Sequence, residues 1–426
     1  MSARSSTDSV HHDSGQHQMN RPQGEGKPHG NRPHGGNRPS GGNRPPVAER
    51  AVEGILDITS KGTGFIRRRE TGYNAARGDV HVGQKLIRQL GLRTGDVLQG
   101  SAAQPKGRGK SLSLRSVDTL NGRDPKSISR RPDFQSLTAI HPNEQLILEC
   151  GLTRLGSRDH TNRLIDLMCP IGKGQRAMIV APAKAGKTMV MQALAEGIVK
   201  NTPNATLFIL LVDERPEEVS EMELCGYGEV IASTFDFPPE RHAAVARLTL
   251  ERARRRVELG EDVVIILDSI TRLARAHNTV DKGSGRTLTG GLDATAMEQP
   301  KRFLGSARNI APEQGGGSLS IIGTALIDTG SKMDEVIFEE FKGTGNSEIV
   351  LSRELSNRRV FPAIDLNASA TRREELLLSP DALKVSHLLR HRLANLPPVD
   401  AMKELLSLMD STKTNLELID RIATGY

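Results

Sequence analysis

Hydrophobic and polar residues alternate differently in three stretches of this chain. Residues 1–46 contain no aromatic residue and almost no large aliphatic one. In residues 47–122 apolar and polar positions alternate in short runs set between glycines. These runs are Glu53–Ile58, Gly64–Arg67, Asp79–Val82, Val97–Gly100 and Ser111–Val117, with one helix-like stretch from Gln84 to Leu90. A period of two reads as half-buried strand, so five short strands in about 70 residues predict a small Greek-key barrel of the OB type. Residues 123–150 carry Asp124-Pro125 and Arg131-Pro132 among mixed polar residues and read as a linker. From residue 151 to 426 the apolar runs become continuous: Ala177–Ala181, Leu207–Val212, Val230–Ser233, Val263–Leu267 and Leu319–Ala325. Helical segments such as Arg241–Leu259 fall between them. That alternation predicts an α/β domain with a parallel sheet covered by helices on both faces.

Composition refines this outline. In residues 1–46 the unit Gly-Asn-Arg-Pro recurs at Gly30–Pro33, Gly36–Pro39 and Gly42–Pro45. A period of six is too short for a folded repeat, and so little apolar surface cannot offset the chain entropy, so this arm is expected to be disordered. It reads equally as a spacer or as a basic RNA-binding arm. The chain carries a formal net charge of +7, which suits a polyanionic partner. It has no Trp, 3 Tyr and 9 Phe, few for a protein that stacks bases on many rings. Cys150, Cys169 and Cys225 have no metal-ligand spacing and read as reduced thiols. The chain opens with no signal-peptide pattern and has no apolar run of membrane-span length, so a soluble, cytoplasmic protein is expected.

The chemistry concentrates in Ala181-Pro182-Ala183-Lys184-Ala185-Gly186-Lys187-Thr188. An apolar strand precedes it and a helix-forming segment beginning at Met189 follows, the context a phosphate-binding loop requires. Loop amides and the helix N-terminus would face a polyphosphate. Lys187 would reach the β- and γ-phosphates, and the Thr188 hydroxyl would hold Mg²⁺. Ala181 stands where such loops usually begin with glycine; alanine resists positive φ, so the loop must enter along an ordinary backbone path. Two further apolar runs end in Asp213-Glu214-Arg215 and in Asp268-Ser269. Ligands of open parallel sheets sit beyond the carboxyl ends of the strands, so Glu214 and Asp268 should converge on the loop. Asp268 would hold Mg²⁺ through water, Glu214 would orient the attacking water, and Arg215 would sense the γ-phosphate. Taken singly, each acid also fits a helix N-cap following a strand.

In the barrel region Lys61-Gly62-Thr63-Gly64-Phe65-Ile66-Arg67 is a degenerate echo of the nucleic-acid-binding strand of cold-shock modules. By itself it also fits a simple bulged strand.

Longer strings carry more. Pro170–Arg176, the phosphate loop, Val212–Val219, Leu267–Arg275, Ala325–Asp334, Glu340–Asn346 and Arg359–Asp365 closely resemble the Rho family of bacterial transcription termination factors, hexameric RNA-dependent ATPases and helicases. The resemblance covers residues 47–426 and extends to Ala181. It implies a RecA-like ATPase domain behind an OB/cold-shock-like RNA-binding barrel, with ATP and Mg²⁺ as cofactors. It further implies single-stranded RNA, the other subunits of a homohexameric ring and an RNA polymerase elongation complex as partners. Gly172, Lys173, Gly174, Gln175, Arg176 and Ala177 would line the nucleotide together with Lys184, Ala185, Gly186, Lys187, Thr188 and Met189. Phe361 would stack on adenine. Arg372 matches the arginine that reaches into the next subunit's ATP site. The primary RNA surface would comprise residues 62–67, Asp79, Val80, His81, Gly109, Lys110 and Ser111. The loop Asp281–Gly291 (with Thr287, Leu288, Thr289, Gly290 and Gly291) and Lys332 resemble the central-pore RNA contacts.

The chain departs from that family twice. The helical subdomain expected before the barrel is replaced by the Gly-Asn-Arg-Pro segment. Thr63, His81 and Ser111 stand where the family carries Phe, Tyr and Tyr, so pyrimidine selection should be weaker, since each base stack contributes about 1–3 kcal/mol. Two other readings compete. A rotary or secretion-type ATPase would have a different N-terminal barrel and lack the Ser331-Lys332 segment. An RNA-binding protein with a relic nucleotide site would not need Lys187, Thr188, Glu214 and Asp268 intact.

Overall fold

The computed structural model describes residues 49–104, 111–128, 130–280, 289–293 and 295–424. The arm over 1–46 and the candidate residues Gly109, Lys110, Thr287 and Leu288 lie outside the described residues.

The first layer is a closed barrel. It comprises β1 (Arg50–Ile58), β2 (Gly64–Arg67), β3 (Val80–Val82), α1 (Gln84–Leu90), β4 (Val97–Ala103) and β5 (Ser113–Leu120). The strand order around the barrel is β1-β2-β3-β5-β4. All pairings are antiparallel except β3 with β5. Leu56, Ile66, Val80, Val82, Leu98, Leu114 and Leu120 fill the interior. Because side chains alternate across a strand, Phe65 and Arg67 stand on the outer face of β2. Strands β1 and β2 approach closely at Gly54, where a Cβ would lie 2.3 Å from the Arg67 carbonyl oxygen.

The connecting residues 123–150 are more firmly held than their polar sequence indicates. Arg131, whose side chain is 3% exposed, donates to both oxygens of Asp96 (2.7 and 2.8 Å) and to Glu258 Oε2 (2.9 Å). Phe134 is buried, with the guanidinium carbons of Arg254 and Arg308 at 5.4 and 4.6 Å from its ring centre. A two-residue strand, β6 (Ala139–Ile140), pairs antiparallel with the later short strand Arg308–Ile310.

The second domain begins with α2 (His160–Met168), β7 (Arg176–Pro182), α3 (Lys187–Asn201), β8 (Thr206–Glu214), α4 (Pro216–Cys225) and β9 (Glu229–Thr234). It continues with α5 (Pro239–Val257), β10 (Asp262–Asp268), α6 (Ile270–Val280), α7 (Glu298–Leu304), β11 (Arg308–Ile310) and β12 (Ser318–Ile327). Then come α8 (Lys332–Lys342), β13 (Ser347–Val350), α9 (Arg353–Asn357), β14 (Ala370–Thr371), α10 (Pro380–Leu393), α11 (Pro398–Asp410) and α12 (Asn415–Ala423). The sheet runs β14-β13-β7-β12-β10-β8-β9, parallel from β13 to β9. β14 is antiparallel to β13, and β11 is antiparallel to both β12 and β6.

The expected strands form, each lengthened by one or two residues at its ends. Alternate residues feed two cores: Ile179, Ile209 and Ile266 pack against α2, α3 and α11, while Val180, Phe208 and Ile265 pack against α5, α6 and α8. A strand buried on both faces shows a continuous apolar run rather than alternation. Among the described residues no helix is long and apolar enough to cross a membrane, and the three cysteines are free.

Candidate nucleotide and RNA sites

β7 is flanked by β13 and β12 within the sheet, and its C-terminal end delivers the phosphate loop. Ala181 is still within β7, paired with Leu326, and fully buried. The chain is extended there and does not need glycine. The turn comes later, with Lys184 at φ 64° and Gly186 at φ 91°, the latter capping α3. The Ser356 hydroxyl donates to the Lys184 carbonyl at 2.7 Å, which ties the loop to α9.

Beyond the strand ends the expected acids meet the lysine. Lys187 Nζ lies 3.1 Å from Glu214 Oε1 and also donates to Asp268 Oδ2. Glu214 and Asp268 are 2% and 3% exposed. Burial works against the Lys187 charge, but Asp268 and Glu214 outweigh it and raise its pKa above the ordinary value. Thr324 donates to Asp268 Oδ1 at 2.7 Å, leaving Oδ2 for the lysine. Arg272 Nη2 stands 3.3 Å from Glu214 Oε2, which also accepts from the Arg215 amide at 3.3 Å. The Arg215 side chain is exposed at the start of α4. Phe361 lies beside the loop: a Cβ on Gly186 would be 3.7 Å from its Cε1. Met189 is exposed on the first turn of α3.

Sequence reasoning missed three members of this site: Glu218, Arg272 and Thr324. Glu218 follows Glu214 by four residues, and ligand oxygens of Glu214, Glu218 and Asp268 lie within 4.8 Å of one another. Burial, and next the Glu214 charge, raise the Glu218 pKa. Three convergent carboxylate oxygens suit a hard divalent cation.

The structure does not bring Gly172–Ala177 to the phosphate loop of the same chain. They sit at the opposite end of β7, about 20 Å away for six strand residues. There Lys173 pairs with Glu144 and Asp262 (2.5 and 2.9 Å), and Arg176 donates to the Thr344 carbonyl at 3.0 Å. Gly174, at φ 85°, lies so close to the Asn309 amide that a Cβ would stand 2.2 Å away. Arg372 is at the same end: its amide donates to Asn346 O, and its charge is among the causes that lower the Arg176 pKa, after burial.

On the barrel, Phe65 and His81 meet edge to face at 5.7 Å, and the Arg67 guanidinium lies 5.4 Å from the Phe65 ring centre. The His81 amide donates to Leu112 O at 2.8 Å, which brings exposed Ser111 alongside. Gly62 and Thr63 form the β1–β2 turn. Asp79 is buried, with Oδ2 accepting from Arg67. Ile66 and Val80 were expected on this surface, but strand alternation turns their side chains into the barrel core. In the other domain Thr289–Gly291 forms a single turn, and Gly290, at φ 81°, packs against the backbone of Lys332 and Met333. Gly290, Lys332 and Met333 line a cavity of about 390 Å³ with Arg275, Asn278, Thr279 and Ser331.

Comparison with known proteins decides among the readings. Residues 52–126 match the model of the Rho termination factor RNA-binding domain, and residues 161–371 match the nucleotide-binding domain of the ATP synthase alpha/beta family. The transcription termination factor Rho of Pseudomonas aeruginosa is 50% identical over 368 residues, 86% of this chain and 87% of that protein. The chain belongs to the Rho family of transcription termination factors. The Rho of Gemmatimonas aurantiaca is 55% identical over 378 residues, and the chain spans 88% of its own length but only 51% of that relative. Among solved structures, an ATPase from the type III secretion system of pathogenic bacteria superposes with a TM-score of 0.56 at 20% identity. That superposition covers 75% of this chain and 94% of the ATPase. An ATP synthase subunit from Nanoarcheaum equitans does so with 0.53 at 18% identity, covering 67% and 78%. These two likenesses are of fold alone. The Rho-type barrel sets this chain apart from the rotary and secretion-type reading, and as a Rho-family member it pairs an RNA-binding domain with an ATP-using one.

Proposed function

We propose that this chain is an RNA-dependent ATPase and helicase. It works in the cytoplasm as a homohexameric ring that draws in nascent RNA and terminates transcription at the RNA polymerase elongation complex. The observation that carries this reading is the path of α6. The helix begins two residues after Asp268; Arg272 in its first turn pairs with Glu214, and Arg275 one turn on donates to Asp334 at 2.7 and 2.5 Å. Asp334 belongs to α8, the helix that Lys332 opens. One rigid element thus joins the water-orienting acid to the candidate pore segment, so a change at the γ-phosphate can be felt where RNA would be gripped.

At the ATP site the loop amides and Lys187 would hold the phosphates, and Glu214 would accept a hydrogen bond from the attacking water. Thr188, and Asp268 through water, would hold Mg²⁺ beside Glu218; the ion would neutralise charge on the phosphate oxygens. Lys187 now occupies the acids' charge, and bound phosphates would compete for it. Phe361 would cover the adenine and Arg215 would approach the γ-phosphate. Arg372 cannot serve the Lys187 site of its own chain from the far end of β7. Its role, and any contact of Gly172–Ala177 with nucleotide, would be made across a subunit boundary, which supports a ring. In the barrel, Phe65 and Arg67 remain to stack on and pair with RNA, with Thr63, His81 and Ser111 giving a weaker base preference. Displacement of a labelled strand from an RNA–DNA duplex with a single-stranded RNA tail tests the proposal. Strand release should require hydrolysable ATP and should stop in Lys187→Ala. ATP-independent release, or none at saturating ATP and RNA, would refute it.

A further inference from the structure

Arg67 is engaged on two sides. Its Nε and Nη2 donate to Asp57 Oδ2 at 3.1 and 2.9 Å, and its Nη1 donates to Asp79 Oδ2 at 2.7 Å. The other oxygen of Asp57, Oδ1, accepts from Arg247 Nη2 at 2.7 Å. Asp57 is the next-to-last residue of the barrel's first strand, whereas Arg247 lies on α5 of the ATPase domain. α5 packs on β8 and β10, the strands that end in Glu214 and Asp268. One carboxylate is therefore shared between a candidate RNA-contacting arginine and an arginine of the motor. The side chains of Asp57 and Arg67 are only 14% and 13% exposed, so water does little to screen the pair, while Arg247 is 51% exposed. Burial acts against the Asp57 charge, yet Arg247 and Arg67 together hold its carboxyl below the ordinary carboxylate range.

We propose that Asp57 is a positioning residue for RNA binding, through which the docking of motor helix α5 sets how tightly Arg67 is withheld from RNA. The inference rests on reading the outer face of β2 as an RNA site. A carboxylate carries a single charge, so each guanidinium that shares it weakens the hold on the other. With Arg247 in place, Arg67 is held less firmly and can turn toward an RNA phosphate or base edge. Without Arg247, Asp57 directs its whole charge to Arg67 and competes with RNA. Coupling free energies are reciprocal, so RNA that draws Arg67 away tightens the Asp57–Arg247 contact between barrel and motor.

Binding of a short labelled oligocytidine to the full chain, read by fluorescence anisotropy, tests this. Arg247→Gln should weaken binding two- to five-fold, the scale of a partly exposed ion pair, and Arg247→Lys should restore most of it. In an Asp57→Asn background Arg247→Gln should have no further effect, so the cycle is non-additive. Thermal melting of each variant checks that the fold is intact; the exposure of Arg247 predicts little change. An equal loss from Arg247→Gln in both backgrounds would mean that Arg247 meets RNA directly and would overturn the inference. So would an Arg247→Gln protein that binds as tightly as the parent. Arg67→Ala separates the RNA face from its coupling to α5. If Arg67→Ala binds normally, the RNA face itself is misassigned and the inference falls with it. If Arg67→Ala binds weakly while the Arg247 variants are silent, only the coupling is wrong.

Discussion

Glu214→Gln keeps the shape of the side chain and removes its charge. Oε1 faces Lys187 Nζ at 3.1 Å; Oε2 faces Arg272 Nη2 and the Arg215 amide, each at 3.3 Å. All three partners are donors, so an amide must turn its own NH₂ toward one of them. At 2% exposure no water relieves that contact. The resting protein should lose about 1–3 kcal/mol, the cost of one buried unsatisfied donor, read as a fall of several degrees in Tm. ATP binding should survive, because the loop backbone and Lys187 are untouched and the lysine has one carboxylate fewer to leave. The chemical step should suffer most: loss of a water-orienting group slows hydrolysis by about 10²–10⁴-fold. Binding of a fluorescent ATP analogue and single-turnover hydrolysis separate the two effects. If Glu214→Gln bound nucleotide normally and hydrolysed it within a few-fold of the parent rate, Glu214 would not be the water-orienting group.

Three further outcomes follow from the same geometry. Arg372→Ala should bind ATP but lose turnover by about 10³-fold or more, and mixing it with Glu214→Gln subunits should restore part of the rate; failure in verified mixed rings would remove the trans role. Phe361→Ala should weaken nucleotide binding by the worth of one base stack, about 1–3 kcal/mol, measured by isothermal titration, and an unchanged Kd would place the adenine elsewhere. Arg131→Ala strips two fully buried carboxylates, Asp96 and Glu258, of a shared partner and should cost about 3–5 kcal/mol in chemical denaturation, with a loss under 1 kcal/mol showing that Arg93 and Arg255 suffice for Glu258.

Lys187, Glu214 and Asp268 could be placed together from sequence because Glu214 and Asp268 close continuous apolar runs and Lys187 follows a third through the phosphate loop, and parallel strands deliver their C-terminal ends to one edge. Glu218, Arg272 and Thr324 approach from helix turns and from within β12, where no local pattern marks which side chain faces the site. The barrel strands were readable from their period of two, including Gly64–Arg67. The short strands β6, β11 and β14 carry no readable period in their sequence, and they form through pairing with β11, β12 and β13 respectively. Residues 123–150 looked like plain linker since their polarity conceals buried pairing, most clearly at Arg131. Asp57 looked like an ordinary polar strand position; what distinguishes it is an arginine 190 residues away. Gly172–Ala177 came to the nucleotide by family resemblance, whereas the direction of β7 carries them to the opposite end of their own domain.

The most direct measurement is steady-state ATP hydrolysis by the full chain with and without single-stranded poly(C). Turnover should be low without RNA, rise at least ten-fold when RNA is added, and vanish in Lys187→Ala under either condition. Equal turnover with and without RNA would contradict this, leaving an ATPase whose barrel and pore segment do not govern its chemistry.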